Sequence, residues 1–102
     1  MIISSQEYLN EEIVAEKIAA CDFEVQVSPA FVIDGEIYQV ILDGHHSFAA
    51  AIKAGVAPVL VERTATDDDR IGLLTAGNID DFMATCWMDS DWRDAVTGRH
   101  VW

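Results

Sequence analysis

The chain has 102 residues, of which 51% are hydrophobic, and its 18 acidic and six basic side chains give a formal net charge of −12. This length is typical of one domain and too short for two independent cores, and the hydrophobic fraction excludes intrinsic disorder. We expect no independent binding to DNA, because neutralising phosphates requires clustered lysine and arginine side chains.

Neither a membrane span nor a secretory signal is predicted. The longest uncharged runs, such as Val25 to Ile33, are far shorter than a membrane-spanning helix. The first residues contain no basic region and no small-residue cleavage site. Cys21 and Cys86 have hydrophobic surroundings, and we expect buried free thiols rather than a disulfide. These features favour a cytoplasmic protein.

The first elements predicted are a short strand and a helix. Met1–Ser4 has the character of an edge strand. Asn10 is suited to cap a helix at its amino-terminal end, since its side chain accepts hydrogen bonds from backbone amides. The spacing of Val14, Ile18 and Cys21 places them on one buried stripe of this helix.

A hairpin is predicted next. Between Phe23 and Leu42, apolar residues either alternate with polar ones or follow one another directly, and both patterns are typical of strands. Pro29 has no N–H to donate, which predicts a bulge or an edge position. The pair Asp34-Gly35 is typical of a type I′ turn. The continuous apolar run Ile37–Leu42 predicts a central strand covered on both faces.

That strand leads through a glycine turn into a helix and another strand, a βαβ-type module. Phe48, Ala51 and Ile52 form the apolar stripe of the helix. Gly55 follows the last turn, where a glycine ends a helix by adopting a left-handed conformation. Val59–Glu62 is the predicted strand.

The last third of the chain is predicted to be helical. Thr66 and Asp69 match a capping box, with the run Asp67–Asp69 as a first helical turn rather than a Mg²⁺ site, and Gly77 closes this helix. A second helix has an apolar stripe consisting of Ile79, Phe82, Met83, Cys86 and Trp87.

The final residues leave two alternatives open. Ser90 and Asp91 begin either a turn or a further helix. Trp92 and Trp102 either close the core or form a patch that faces a partner.

The strongest candidate for chemistry is the turn Gly44-His45-His46-Ser47. A glycine here lets the backbone approach a ligand closely, and the helix offers unpaired N–H groups from about His46 to Ala49. These donors and the helix dipole predict a site for an anion, most naturally a phosphate. The two imidazoles either bind the anion, supply a general acid or base, or simply cap the helix and pack. We expect no metal site, because adjacent histidines point in different directions.

Residues 10–63 resemble the ParB/sulfiredoxin superfamily in their order of elements and in the motif Asp43-Gly44-His45-His46, which is followed by an alanine-rich helix. In this family the turn binds nucleotide phosphates. The resemblance implies phosphate binding by Gly44, His45, His46 and Ser47, with a nucleoside triphosphate and Mg²⁺ as the implied cofactor. Nucleotide hydrolysis or phosphoryl transfer is implied by some branches of the family, and nuclease activity by others.

The chain departs from the family pattern at two positions. Ser47 stands where the motif has an arginine, and a hydroxyl supplies no positive charge to a phosphate. We expect Ser47→Arg to strengthen phosphate binding through an added charge-assisted hydrogen bond, and His46→Ala to weaken phosphate binding. The stability of Ser47→Arg should change little, because we expect Ser47 to face solvent. His45 replaces the cysteine of sulfiredoxin, so reductase activity is not expected.

The predicted fold is therefore an α/β (α+β) domain with a mixed sheet flanked by helices, a core over about residues 1–64 and a helical extension over about residues 65–102. Two functions are expected as alternatives. One is the binding of a nucleotide or phosphate group, with weak nucleotide hydrolase activity as an extension. The other is non-catalytic contact with a basic protein partner, as an inhibitor or nucleic-acid mimic, for which the acidic charge is suited.

Overall fold

The structure, a computed structural model, describes residues 1–101. Within that range six strands form a mixed sheet, and four helices cover it. The strands are β1 (Ile2–Ser4), β2 (Glu24–Val27), β3 (Phe31–Ile33), β4 (Glu36–Asp43), β5 (Val59–Glu62) and β6 (Arg93–Asp94). The helices are α1 (Glu11–Ala19), α2 (His45–Ala54), α3 (Arg70–Thr75) and α4 (Ile79–Cys86). The predicted α+β class with a mixed sheet is confirmed.

The strand order is β5-β2-β4-β1-β6, and β3 also pairs with β4. Successive residues of β4 point to opposite faces of the sheet. Val40 and Leu42 join one core cluster with the residues of α3 and α4, whereas Ile41 joins a second cluster with Phe48 of α2. Two layers of helices thus cover two faces, with α1 packed on α2 and α3 packed on α4. The predicted central position of β4 is confirmed.

Local signals in the sequence correspond to the observed element ends. The side chain of Asn10 accepts hydrogen bonds from the backbone amides two and three positions further on, which caps α1. Asp34 and Gly35 both have positive φ values, 50° and 82°, as a type I′ turn requires. Gly55 and Gly77 close α2 and α3 in the left-handed conformation. These predictions are confirmed.

Pro29 lies in the break between β2 and β3, both of which pair with β4. Beside it, the buried Ser28 keeps the sheet bonded in two ways. Its amide donates to the carbonyl of Val40 at 2.9 Å, and its Oγ accepts the amide of Val40 at 3.0 Å. A side-chain oxygen therefore replaces a strand carbonyl where the chain bends around the proline.

Two topological expectations were wrong. The predicted edge strand β1 lies inside the sheet, because it pairs with β4 in parallel and with β6 in antiparallel orientation. The module β4-α2-β5 is not a parallel βαβ unit. Strand β2 lies between its two strands and runs antiparallel to β4 but parallel to β5, so β4 and β5 have opposite directions.

The predicted stripe of α1 is also only partly correct. Val14 is buried and Ile18 is half-buried. Cys21 is exposed and lies beyond the helix with a φ of 52°, so only one of the two cysteines is a buried free thiol. That cysteine is Cys86, and its burial raises the pKa of the thiol to about 11, which keeps it protonated.

The start of α3 differs from the predicted capping box. The helix begins at Arg70, and Thr66 and Asp69 do not form the reciprocal pair. Instead, Thr64 donates from its amide and its hydroxyl to Asp67 at 3.2 and 3.1 Å. These bonds form a turn before the helix, so the acidic run precedes the first helical turn rather than filling it.

The end of the chain is less helical than predicted. Residues 90–91 lie in a loop, and β6 follows in place of a further helix. Trp87 is exposed rather than on the buried stripe of α4, because the helix ends at Cys86. Trp92 packs against the core, while Trp102 lies outside the described residues. No helix in residues 1–101 is long and apolar enough to cross a membrane.

Candidate functional site

The turn between β4 and α2 is built around a close approach of two backbones. Gly44 has a φ of 90°, and a Cβ at this position would lie 2.8 Å from the carbonyl oxygen of Glu24 and 3.1 Å from Cα of Val25. The glycine is therefore required by the packing of the turn on β2. The close approach that we predicted for a ligand is made by the chain itself.

The amides at the start of α2 are fewer than expected. The helix begins at His45, and the amide of Phe48 already donates to the carbonyl of Gly44 at 2.8 Å. The first-turn amides left outside the helical pattern are those of residues 45–47, so the predicted extent to Ala49 was too long.

His46 has a structural contact. Its Nε2 accepts the backbone amide of Asn10 at 3.1 Å, which joins the start of α1 to the start of α2. An Nε2 that accepts a hydrogen bond carries no proton, which leaves Nδ1 as the donor of the ring in this contact. Of the alternatives for the two histidines, this contact supports a packing role for His46.

Ser47 does not face solvent as expected, because its exposed fraction is only 2%. Its hydroxyl contacts the carboxylate of Asp22, whose pKa is lowered mainly by the ammonium of Lys17 and to a smaller extent by this hydroxyl. An arginine at position 47 would therefore have to displace packed neighbours. The expected exposure of Ser47, on which the prediction of an unchanged stability for Ser47→Arg rested, was wrong.

On the outer side of the turn lies a recess of about 320 Å³, which we call the outer recess. Its lining includes the turn residues, Gln6, Lys17 and Asp43. Lys17 is engaged with Asp22, with 2.9 Å between Nζ and Oδ2. An anion in this recess would face one cation that is already paired with Asp22, and the carboxylate of Asp43, which is an unfavourable balance for a phosphate.

On the other side of His45 lies a cavity of about 330 Å³, which we call the inner cavity. Its walls come from α1, α2, β1 and the residues around β6, and they are largely apolar. They include Val14, Ile41, Phe48 and Ile52. Ile52 was expected to be buried on the stripe of α2, but it is exposed in this wall. An apolar cavity of this size with a few polar groups is typical of small-molecule sites.

Arg93 is a cation of the inner cavity that the sequence did not assign to a binding site. It lies in β6 opposite Ser4 of β1. Its Nη1 donates to Oγ of Ser90 at 3.0 Å and its Nη2 donates to the carbonyl of Gln6, which uses two of the five N–H groups of a guanidinium. No carboxylate oxygen within residues 1–101 lies within 4.0 Å of it.

A buried network fixes the position of Arg93. The carbonyl oxygen of Ser5 accepts two hydrogen bonds from Ser90, one from the amide at 2.9 Å and one from the hydroxyl at 2.8 Å. The hydroxyl of Ser5, a fully buried residue, accepts the amide of Met88 at 2.7 Å. The hydroxyl of Ser90 bonds both Ser5 and Arg93. The guanidinium is therefore held by residues 88–90, which are hydrogen-bonded to the residue that directly follows β1.

His45 lines both the outer recess and the inner cavity. Its ring makes no hydrogen bond to any residue that the structure describes. Burial lowers the pKa of His45 to about 4; His46 and Arg93 act in the same direction, and Asp43 and Asp89 oppose it. The ring is therefore neutral at pH 7, with one donor and one acceptor open toward a ligand.

The mouth of the inner cavity contains an exposed ion pair, with 3.6 Å between Nζ of Lys53 and Oε2 of Glu11. Two cations and one carboxylate thus line the cavity, a net charge of +1 with His45 neutral. This positive balance is notable in a chain of net charge −12. The arrangement is suited to an anionic group bound beside an apolar body.

Within the described part of the chain, no group of three histidine, cysteine, aspartate or glutamate side chains is arranged to hold a metal ion. No protein-family model, curated protein or solved structure matches the chain. The resemblance to the ParB/sulfiredoxin superfamily and the phosphate-binding role of residues 44–47 therefore stay predictions.

Proposed function

We propose that this protein binds a phosphate-bearing small molecule, such as a nucleotide, in the inner cavity. The observation that carries the proposal is the guanidinium of Arg93, which lines the cavity without a carboxylate within 4.0 Å in residues 1–101. A planar guanidinium donates two parallel hydrogen bonds to a phosphate, which a serine hydroxyl cannot do. Arg93 thus supplies the cation that the turn lacks at Ser47.

The other walls of the cavity support the same ligand class. His45 offers a neutral ring beside Arg93, and its donor adds a hydrogen bond to the anion. Phe48 and Ile52 offer an apolar surface for a base or another nonpolar group. The residues described do not form a metal site, so a magnesium ion would have to be held chiefly by the phosphates of the ligand.

Calorimetric titration tests this proposal. The ligands are a nucleoside monophosphate, a nucleoside triphosphate with and without Mg²⁺, and inorganic phosphate. The variants are Arg93→Gln and, as a matched control, Arg99→Gln, which removes the same charge from an exposed residue outside the cavity. We expect Arg93→Gln to weaken binding about ten- to a hundredfold, the effect of losing charge-assisted hydrogen bonds to phosphate.

The control should bind within about twofold of the parent, because Arg99 is exposed and does not line the cavity, so that salt screens its charge. Thermal melts of each variant without ligand distinguish loss of binding from loss of folding. The proposal is wrong if none of these phosphate compounds binds the parent, or if both arginine variants bind equally well.

We further propose a cytoplasmic location. Phosphate-bearing metabolites are abundant there, and the reducing conditions keep an exposed thiol such as Cys21 free. Labelling of Cys21 in intact cells with a membrane-permeant thiol reagent, but not with an impermeant one, is the expected result.

A further inference from the structure

The two ends of the sheet differ in how their edges are protected. At one end β6 has only two residues, and His100 forms a bridge with Arg93 that covers the outer side. At the other end β5 has four residues and pairs only with β2 among the strands of residues 1–101. An unpaired edge exposes a row of backbone donors and acceptors that another strand can bind.

The hydrogen bonds of β5 identify which backbone groups point outward. The amide of Val59 donates to the carbonyl of Phe23 at 2.8 Å, and that of Arg63 donates to the carbonyl of Val27 at 3.0 Å. In a parallel pair, inward-pointing residues alternate with outward-pointing ones. The backbone N–H and C=O groups of Leu60 and Glu62 therefore point away from the sheet.

The side chains along this edge are apolar and exposed on both faces. Val59 is 57% exposed and Leu60 is 42% exposed. Leu60 lies on the same face as its partner Val25, the face that α2 covers, and Val59 lies on the other. Natural edge strands are usually protected by charges, bulges or covering loops, and β5 has one charged residue, Glu62.

The charge around the edge indicates what kind of strand would pair there. Two glutamates near this edge are exposed: Glu62 in β5 itself, and Glu24 in β2, which pairs with Val59 of β5. A second copy of this chain would bring another −12 to the same edge, so self-pairing is opposed by charge. Because alternate side chains of a strand point to opposite faces, lysines on the α2 face would pair with Glu62, while apolar residues on the other face would cover Val59.

We propose that the β5 edge receives an extended segment of a basic partner protein, in which apolar residues alternate with lysine or arginine. The segment adds a strand to the sheet through the backbone groups of Leu60 and Glu62. This interaction surface is separate from the inner cavity, because Arg93 lies at the opposite end of the sheet. Loss of one interaction therefore leaves the other in place.

The test uses a fluorescent peptide of alternating valine and lysine, and the same peptide with every backbone nitrogen methylated. Methylation removes the N–H donors of both edges of the peptide strand and keeps its charge and side-chain sequence. We expect the methylated peptide to bind at least about tenfold more weakly in fluorescence anisotropy. The unmodified peptide should slow hydrogen exchange at the amides of Leu60 and Glu62.

Variants of the protein separate backbone pairing from side-chain contact. Leu60→Pro removes an outward-pointing N–H without breaking a bond to β2, and we expect it to weaken binding at least about tenfold. Leu60→Ala keeps the N–H and should weaken binding by less than about threefold. If Leu60→Pro fails to fold, the methylated peptide gives the same comparison with the parent protein.

Three results would overturn the proposal. The first is that the parent protein does not bind the unmodified peptide. The second is that it binds both peptides equally well, which would mean that charge alone attracts them. The third is that sedimentation detects a dimer that Leu60→Pro converts to a monomer, in which case the edge pairs with a second copy of this chain.

Discussion

Helix α2 has a glycine in the left-handed conformation at each end, yet the two ends have different surroundings. Gly44 is pressed against the backbone of β2, whereas a Cβ built at Gly55 meets no described atom within 4 Å. At the amino-terminal end, the amide of Asn10 also donates to His46, and the carboxylate of Asp22 contacts Ser47. The same backbone angle therefore has two origins: Gly55 ends a helix, and Gly44 joins a helix to a sheet.

The largest effect that would test this comparison is expected at the crowded end. Gly44→Ala adds a methyl group 2.8 Å from a backbone oxygen and also strains a positive φ. We expect a loss of about 2–4 kcal/mol in the free energy of unfolding, and about 1 kcal/mol for the control Gly55→Ala. Urea denaturation measures both values, and equal losses would show that Gly44 serves only its backbone angle.

At the open end we expect backbone strain rather than a steric clash with neighbouring residues. Gly55→Val should lower the free energy of unfolding by about 1–2 kcal/mol, since a β-branched residue is disfavoured at positive φ. The midpoint of urea denaturation measures this loss. A midpoint equal to that of the parent would contradict the assignment of Gly55 as the residue that ends α2.

The smallest effect is a pH dependence at the crowded end. The pKa of His45 is about 4 in the folded protein, against 6.5 as its ordinary value. Between these pH values the unfolded chain takes up a proton at this ring and the folded chain does not. Stability is therefore lost as the pH falls through this window, by about 1 kcal/mol after allowing for partial exposure of the ring.

Denaturation of the parent and of His45→Gln at pH 7 and pH 4.5 measures this contribution. The variant lacks the titrating ring, so its stability should fall less than that of the parent over the same interval. Equal losses in the two proteins would mean that the ring is more exposed to water than the structure shows.

The fold was most predictable where a few neighbouring residues determine the backbone. The side chain of Asn10 bonds amides two and three positions away, and Asp34-Gly35 adopts a two-residue turn of the kind that joins adjacent antiparallel strands. Gly55 ends its helix for a reason that is equally local. None of these features depends on a distant part of the chain.

The errors arose where distant segments meet. The position of β1 depends on β6, which follows it by about 90 residues in sequence, and no periodicity within Met1–Ser4 reveals that neighbour. The burial of Ser47 likewise depends on the segment around Asp22, so the first turn of a helix did not imply contact with solvent.

The position of Arg93, the cation of the proposed site, also depends on contacts between distant segments. It is one of only six basic residues in an acidic chain, and it follows Trp92, which packs against the core. The small number of basic residues was a usable signal, because acidic side chains outnumber the basic ones three to one and could pair with each of them. A cation next to a core aromatic residue is a candidate for an interior role.

The fastening of Ser5 to residues 88–90 has a consequence for synthesis of the protein. Ribosomes produce β1 before β6, and the groups that satisfy the buried hydroxyl and carbonyl of Ser5 are made 83 and 85 residues after it. A nascent chain therefore has no complete inner cavity until β6 has left the exit tunnel. Until that moment the side of β1 that β6 covers is an unpaired edge, at which another strand can pair.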